Sequence, residues 1–467
     1  MNKLTSLVLG LTLIHANSVY AEDLLTIYQQ ALEADPTLKS AELKTEIGSA
    51  QKGQAFGEML PQVSANANWS ANNQRQNQLR GYVRKLPNNK KEVVPYDSAP
   101  TTNYHGTRYS LSLNQTVLDF AKFWNWRRAQ EIEDQYTSEL TQAQHALMFN
   151  VVEKYFGVLE AEDQLYFFQT ERQSTEHQLE QVKKQYAKQL VKITDLYDVE
   201  ARLDQIKATE IEAETQLTIA KESLKELTNN NPVGLFKLRE NIDYKHLEGN
   251  LDDWIAVAKS ENPVLSAQLH AIEAASDDVA VQKSKYLPVV DAQFNYFDTN
   301  TGYQSSSIGQ TEVQVAAINI NVPIFTGGVT THRLFEAQHR LELSKTENDA
   351  KIRALIKETS DSFLSTNASV RRIEASQKAL ESTAKAKQAK ETGFKYGVET
   401  MSDVLIAQQN EFKAKRELST SKYSYIKNRI RFMQSTGLIS EENLNEVNGW
   451  LQAGPSQPKA MDDAKKS

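Results

Sequence analysis

Few residues in this 467-residue chain are spaced for chemistry. His332, Glu336 and His339 would share one helix face at i, i+4 and i+7, a spacing that can serve a metal ion. No further ligand accompanies them, so the set reads as a solvated face and no metal is assigned. The other histidines are scattered, and neither a glycine-rich phosphate loop nor a Gly-x-Ser-x-Gly elbow occurs. The absence of cysteine excludes disulfides, thiol chemistry and a lipid-modified N-terminal cysteine. No catalytic residue and no cofactor follow. What remains is two short polar sets, Thr194-Asp195 and Ser402-Asp403, placed like helix starts. Thr194 and Ser402 stand where an N-cap would, with Asp195 and Asp403 in the first turn.

The elements that carry these sets occur twice. Asp35-Pro36 and Leu60-Pro61 recur as Asn262-Pro263 and Leu287-Pro288, an offset of 227 in both cases. Leu111-Ser-Leu-Asn114 recurs as Ile318-Asn-Ile-Asn321, and Thr194-Asp195-Leu196 as Ser402-Asp403-Val404. A duplicated unit of this size is far longer than a solenoid repeat. From about 120 to 189 apolar residues fall at Ala129, Ile132, Tyr136, Leu140, Ala143, Leu147, Val151, Tyr155 and Val158, in helical steps. A helix of that length would measure roughly 105 Å at 1.5 Å per residue. Its counterpart covers about 328–396. Return helices follow over about 194–228 and 402–436. In the first, Val199, Leu203, Ile206, Ala213, Leu217, Ala220, Leu224 and Leu227 form a heptad seam broken only at Glu210. Such a seam implies left-handed packing on a partner helix.

Four runs alternate with period two instead: about 61–73, 108–118, 288–298 and 312–322, the last with a parity slip near Ala316-Ala317. Each is about the length of a bilayer-spanning β-strand. Residues 1–21 have the charged start, apolar core and small-residue end of an export signal. Four strands cannot close a barrel, and an open edge in lipid is costly. Other copies must complete the sheet: two would give eight strands, three twelve, enough for a pore. A net charge of -7 argues against a nucleic-acid reader. The chain then divides into the signal 1–21, a first repeat 22–230, a connecting segment 231–250, a second repeat 251–437, and a polar segment 438–467 ending in a disordered tail.

This duplicated arrangement resembles the outer membrane efflux protein family over the whole mature chain to about Trp450. The carriers are Leu60-Pro61 and Leu287-Pro288 before the strands, and Val322-Pro-Ile-Phe-Thr-Gly-Gly328 after them. Val191-Lys-Ile-Thr-Asp195 and Gly397-Val-Glu-Thr-Met-Ser-Asp-Val-Leu405 mark the hairpin tips. The resemblance implies a mostly α protein with β: a homotrimer whose twelve strands form an outer-membrane β-barrel continuous with a periplasmic α-helical barrel. It implies an exit duct for drug efflux or type I protein secretion, set in outer membrane lipid. The tips Leu190, Val191, Lys192, Gly397 and Val398 would meet a periplasmic adaptor, itself joined to an inner-membrane pump or secretion ATPase.

The resemblance also implies a gate at the tips. Asp403 matches the first position of a double aspartate ring, but Ile406 occupies the second. Symmetry copies of Asp403 would repel and raise the carboxyl pKa. Thr194 and Asp195 match one side of the family's closed-state latch. On the other side Phe394 stands at a tyrosine position and Glu399 at an arginine position. Phe394 donates no hydrogen bond and Glu399 would repel Asp195. Other pairs must replace the latch, and Lys188 or Lys192 with Glu399 is the expected one. Between the first two strands, 74–106 reads as a long loop with Arg75, Arg80, Arg84, Lys85, Lys90 and Lys91 against Glu92 and Asp97. On this topology it faces outside, as a solvated loop or a contact for lipopolysaccharide phosphates. A periplasmic coiled-coil adaptor that forms no pore is the alternative, and it leaves the four strands unexplained.

Overall fold

The computed structural model describes residues 21–75, 78–98, 101–232, 234–300 and 310–453. The export signal and the tail beyond Ala453 lie outside them. In chain order the elements of the first half are α1 (Leu24–Ala34), α2 (Pro36–Gly57), β1 (Gln62–Arg75), β2 (Gln78–Lys85), β3 (Lys91–Ser98), β4 (Thr101–Leu118), α3 (Phe120–Ala187) and α4 (Ile193–Thr228). Then come β5 (Lys237–Leu238), α5 (Leu251–Glu261), α6 (Pro263–Ser284), β6 (Val289–Asn300), β7 (Thr311–Asn321), α7 (Val329–Lys395), α8 (Met401–Thr436), α9 (Glu441–Asn448) and β8 (Leu451–Gln452). The duplication is visible in the lengths: α1, α2, α3 and α4 have 11, 22, 68 and 36 residues, and α5, α6, α7 and α8 have 11, 22, 67 and 36.

The repeated Asp-Pro and Asn-Pro pairs explain one shared junction. Proline disfavours the helical region for the residue before it, so Asp35 and Asn262 turn extended and end α1 and α5. Pro36 and Pro263 then open α2 and α6 at the position where no N–H is missed. The side chains before them cap the new helices: Asp35 Oδ1 accepts from the N–H groups of Thr37 and Leu38 at 2.6 and 2.9 Å, and Asn262 Oδ1 from Val264 at 2.9 Å.

Two compact units are distinguished. One comprises Lys44–Tyr136 and Ala267–Asn348 and holds the antiparallel sheet β1-β4-β6-β7. Its register places Val63, Ala65, Ala67 and Trp69 opposite Leu113, Leu111, Tyr109 and Thr107. Leu113 and Leu111 in turn face Phe294 and Tyr296. Ala292 and Val290 face Ile318 and Ile320. One face of the sheet is thereby apolar across all four strands. The other carries Ser64, Asn66, Asn68, Ser112, Asn114, Gln293, Asn295 and Asn319. The parity slip in β7 is no break in pairing: the ladder runs evenly from Thr311 to Asn321, and Val313 and Val315 lie with Phe297 and Ala317 on the face that carries the polar residues. The long loop is corrected as well. β4 begins at Thr101, and β2 and β3 form a hairpin sheet of their own. Basic side chains at Arg80, Arg84, Lys85 and Lys91 do not forbid strand pairing when both faces are exposed.

The other unit comprises the described residues up to Leu43, with Thr137–Ser266 and Asp349 onward. Its core gathers Leu24 and Ile27 of α1, Val151, Val152, Tyr155, Phe156, Val158 and Leu159 of α3, Leu224 of α4, Tyr425, Ile426 and Ile430 of α8 and Leu444 of α9. Tyr155 is fully buried there and donates its hydroxyl toward the carbonyls of Glu22 and Phe236, both at 3.1 Å. The polar segment after 438 is partly structured, since β8 pairs with β5 of the connecting segment. On α4 the seam residues Val199, Leu203, Ile206, Ala213, Leu224 and Leu227 are buried.

Candidate functional site: the packed hairpin tips

Both helical hairpins turn in the same way. Gln189 takes a left-handed φ of 59°, and Gly397 one of 74°. In the first turn Leu190 N–H reaches the carbonyl of Gln185 and Gln189 N–H that of Tyr186. In the second, Val398 N–H reaches Gly393 and Gly397 N–H reaches Phe394. These paired bonds close a Schellman motif at each helix end. The motif leaves Leu190, Tyr396 and Val398 standing out, at 70, 81 and 79 % exposure.

Behind the turns the hairpins pack on each other. Val182 of α3, Val199 of α4 and Met401, Val404 and Leu405 of α8 form a buried apolar cluster, joined by Leu179, Val191, Leu196 and Phe394. Thr194 and Ser402 are not the caps: α4 starts after Lys192 and α8 after Thr400. One aspartate closes each start from the third helical position. Asp195 accepts from Lys192 N–H at 3.0 Å, and Asp403 accepts from Thr400 N–H at 3.1 Å and from Thr400 Oγ1 at 2.5 Å. Lysine has no acceptor to return the bond, so only α8 has the reciprocal capping box, with Asp403 N–H on Thr400 Oγ1 at 3.2 Å. Within one chain the Asp403 carboxyl is held below its ordinary pKa, first by the Thr400 hydroxyl and then by the Thr400 amide, opposite to the rise expected from a ring alone.

Within one chain Glu399 does not make the expected pair with Lys188 or Lys192 among the described residues. Glu399 bonds Lys390 of its own hairpin at 2.7 Å. Gly393 makes room for it, because a Cβ there would meet Glu399 Cγ at 2.5 Å. Phe394 joins the apolar cluster, which has no use for a hydroxyl, and Ile406 is exposed.

Sequence reasoning missed the seam above the tips. Gln164, Phe168, Glu171, Thr175, Gln178 and Val182 keep heptad spacing on α3, but most are polar and escape a search for apolar periodicity. They meet α8. Gln178 Nε2 lies 3.1 Å from Met401 sulfur, Gln408 Nε2 3.1 Å from Ser174 Oγ, and Gln164 Nε2 3.2 Å from Thr420 Oγ1. Glu171 is 1 % exposed and takes Arg202 of α4 at 2.5 Å and Arg416 of α8 at 2.9 Å. Arg416 also lies over the Phe168 ring at 4.4 Å. Between α7 and α8, buried Glu411 pairs with Lys387 at 2.9 Å and Lys415 at 2.8 Å.

On α7, Glu336 pairs with Arg340 at 2.6 Å. Glu131, Asp134 and His270 bring donor atoms within 4.8 Å of one another, and His270 Nδ1 already bonds Glu131 at 2.9 Å. No helix among the described residues is long and apolar enough to cross a membrane.

A duplicated chain with an amphipathic four-stranded sheet and two hairpins packed at their tips has the fold of an outer-membrane channel protein with a β-domain and helical tunnel. The profile of the outer membrane efflux protein family matches residues 27–230 and 254–438, and the chain belongs to that family. It is an outer membrane protein. It is 28 % identical to outer membrane protein TolC of Vibrio cholerae, over 94 % of this chain and 95 % of that one. It is 26 % identical to the alkaline protease secretion protein AprF of Pseudomonas aeruginosa, over 97 % and 92 %. The CmeC outer membrane channel of Campylobacter jejuni superposes with a TM-score of 0.73 at 17 % identity, covering 92 % of this chain and 90 % of CmeC, a likeness of fold.

Proposed function

We propose that three copies of this chain close one barrel and one tunnel, and that the assembly is the outer-membrane exit duct for drug efflux and type I protein secretion. The observation that carries this is the sheet. Its apolar face spans all four strands, while among the described residues the outer edges of β1 and β7, 14 and 11 residues long, are unpaired. Roughly half the residues of an antiparallel edge point N–H and C=O outward. In lipid each unsatisfied group costs on the order of several kcal/mol, so the edges must meet those of other copies. β1 and β7 run antiparallel to each other in the order given, so β7 of one copy can pair with β1 of the next.

The tips are the periplasmic gate. The apolar cluster around Phe394 and Met401 holds the two hairpins together in the closed state, replacing the family's polar latch. Three copies of Asp403 line the constriction. The tip residues Leu190, Val191, Lys192, Gly397 and Val398, with Leu190 and Val398 the apolar side chains standing out, meet a periplasmic adaptor, which recruits the inner-membrane pump or secretion ATPase. The polar α3–α8 seam suits opening, because its hydrogen bonds can be exchanged for water as helices re-pack. The test is mass determination in neutral detergent with conductance in planar lipid. A stable trimer that conducts ions supports the reading, while a monomer or a silent bilayer overturns it. Drug sensitivity and the secreted proteome of a deletion strain then separate efflux from secretion.

A further inference from the structure

The β2–β3 hairpin forms a sheet separate from the four-stranded one, and its construction is specific. Its register sets Lys85 directly opposite Lys91, and Lys90 precedes Lys91 in the turn closed by Leu86 N–H on the Lys90 carbonyl at 2.8 Å. Like charges facing each other across an antiparallel ladder oppose pairing. Glu92, the residue after Lys91, is taken by Arg84 at 2.8 Å. Among the described residues Lys85, Lys90 and Lys91 make no ion pair. One step back from the turn, Val83 and Val93 are a facing pair on the same side as Lys85 and Lys91, and are 57 and 66 % exposed. On the opposite side Tyr82 and Tyr96 lie with ring centroids 6.1 Å apart. Three uncompensated ammonium groups beside bare valines and a tyrosine pair match an interface that is anionic above and apolar below, where tyrosine rings also favour the headgroup level.

We propose that this hairpin binds phosphate-bearing glycolipid of the outer leaflet, with Lys85, Lys90 and Lys91 on the phosphates and Val83 and Val93 against the lipid body. The assignment rests on the duct reading, which puts the loop between β1 and β4 at the outer rim. A free phosphate would satisfy the lysines but not the valines.

The experiment titrates full-length protein in neutral detergent with fluorescent lipid A carrying two phosphates, with the same lipid A dephosphorylated, and with inorganic phosphate as competitor. Near an anionic surface each lysine is worth roughly fivefold in affinity, so Lys85→Gln, Lys90→Gln and Lys91→Gln together should weaken binding on the order of 100-fold. Val83→Ser with Val93→Ser should weaken it as well, and higher salt should weaken the parent more than the triple variant. Equal binding by parent and triple variant, or no preference for the phosphorylated lipid, would overturn the proposal. Displacement by millimolar inorganic phosphate would transfer the site to free phosphate and overturn the lipid assignment. Planar-bilayer conductance of the same samples keeps the two readings apart: a conducting parent indifferent to lipid A defeats only the hairpin, whereas a silent parent defeats the duct and the hairpin with it.

Discussion

Replacing Phe394 by alanine tests whether the closed tip is held by apolar contact. The ring is half-buried beside Val182, Val199 and Met401. Truncating a fully buried phenylalanine costs about 3–5 kcal/mol, so a half-buried one should cost about 2. If that contact exists only when the hairpins are together, the loss shifts the closed-to-open ratio about 30-fold per copy, at 1.4 kcal/mol per tenfold. Planar-bilayer recordings should show larger and steadier conductance, and cells carrying the variant should admit bulky antibiotics that the parent excludes. Phe394→Tyr should stay closed, because a ring in that cluster needs no hydroxyl partner. Phe394→Leu should fall between. A melt of each variant shows whether the fold survives. The reasoning fails if the alanine variant folds yet conducts like the parent, or if the tyrosine variant opens as far as the alanine one.

The Glu171 bridge predicts strong coupling: Glu171→Gln and Arg416→Met should each destabilise the α3–α8 seam by about 2–3 kcal/mol, less than for wholly buried pairs because the arginines are partly exposed. The double variant should lose much less than the sum in thermal unfolding, and additivity would show that the bridge is not a unit. Gln189→Gly should stabilise the first tip by about 1 kcal/mol, since glycine accepts φ of 59° without Cβ strain, and hydrogen exchange of the 186–193 amides should slow. Glu411 gives a pH dependence. Burial raises its carboxyl pKa, but bonds from Lys415 and Lys387 outweigh that and leave it below the ordinary 4.5. A depressed pKa contributes stability that is complete above about pH 4.5 and lost as pH falls through the lowered value. Melting temperature should therefore drop as pH falls below about 4.5, and Glu411→Gln should flatten that drop.

Periodicity and turn residues were enough to read the long helices, the four strands and the duplication, because helix and strand leave different repeats in the chain. The Asp-Pro and Asn-Pro pairs announced junctions whose caps the structure then displays. The polar seam on α3 stayed hidden, since glutamate, threonine and glutamine at heptad positions look like a solvated face until their partners on α8 are known. The β2–β3 hairpin was hidden for a related reason: strands exposed on both faces carry no period-two contrast.

Local chemistry along the chain determined what each segment is. Proline forced the helix breaks, and alternation made one sheet face apolar. Only tertiary structure decided who meets whom. Within one chain Lys390 pairs with Glu399, and Gly393, lacking a Cβ, leaves room for the Glu399 side chain. Glu171 became a buried junction of three helices only when Arg202 and Arg416 arrived from positions far apart in the chain. Burial and partner choice depend on distances between elements, and no local pattern encodes those distances.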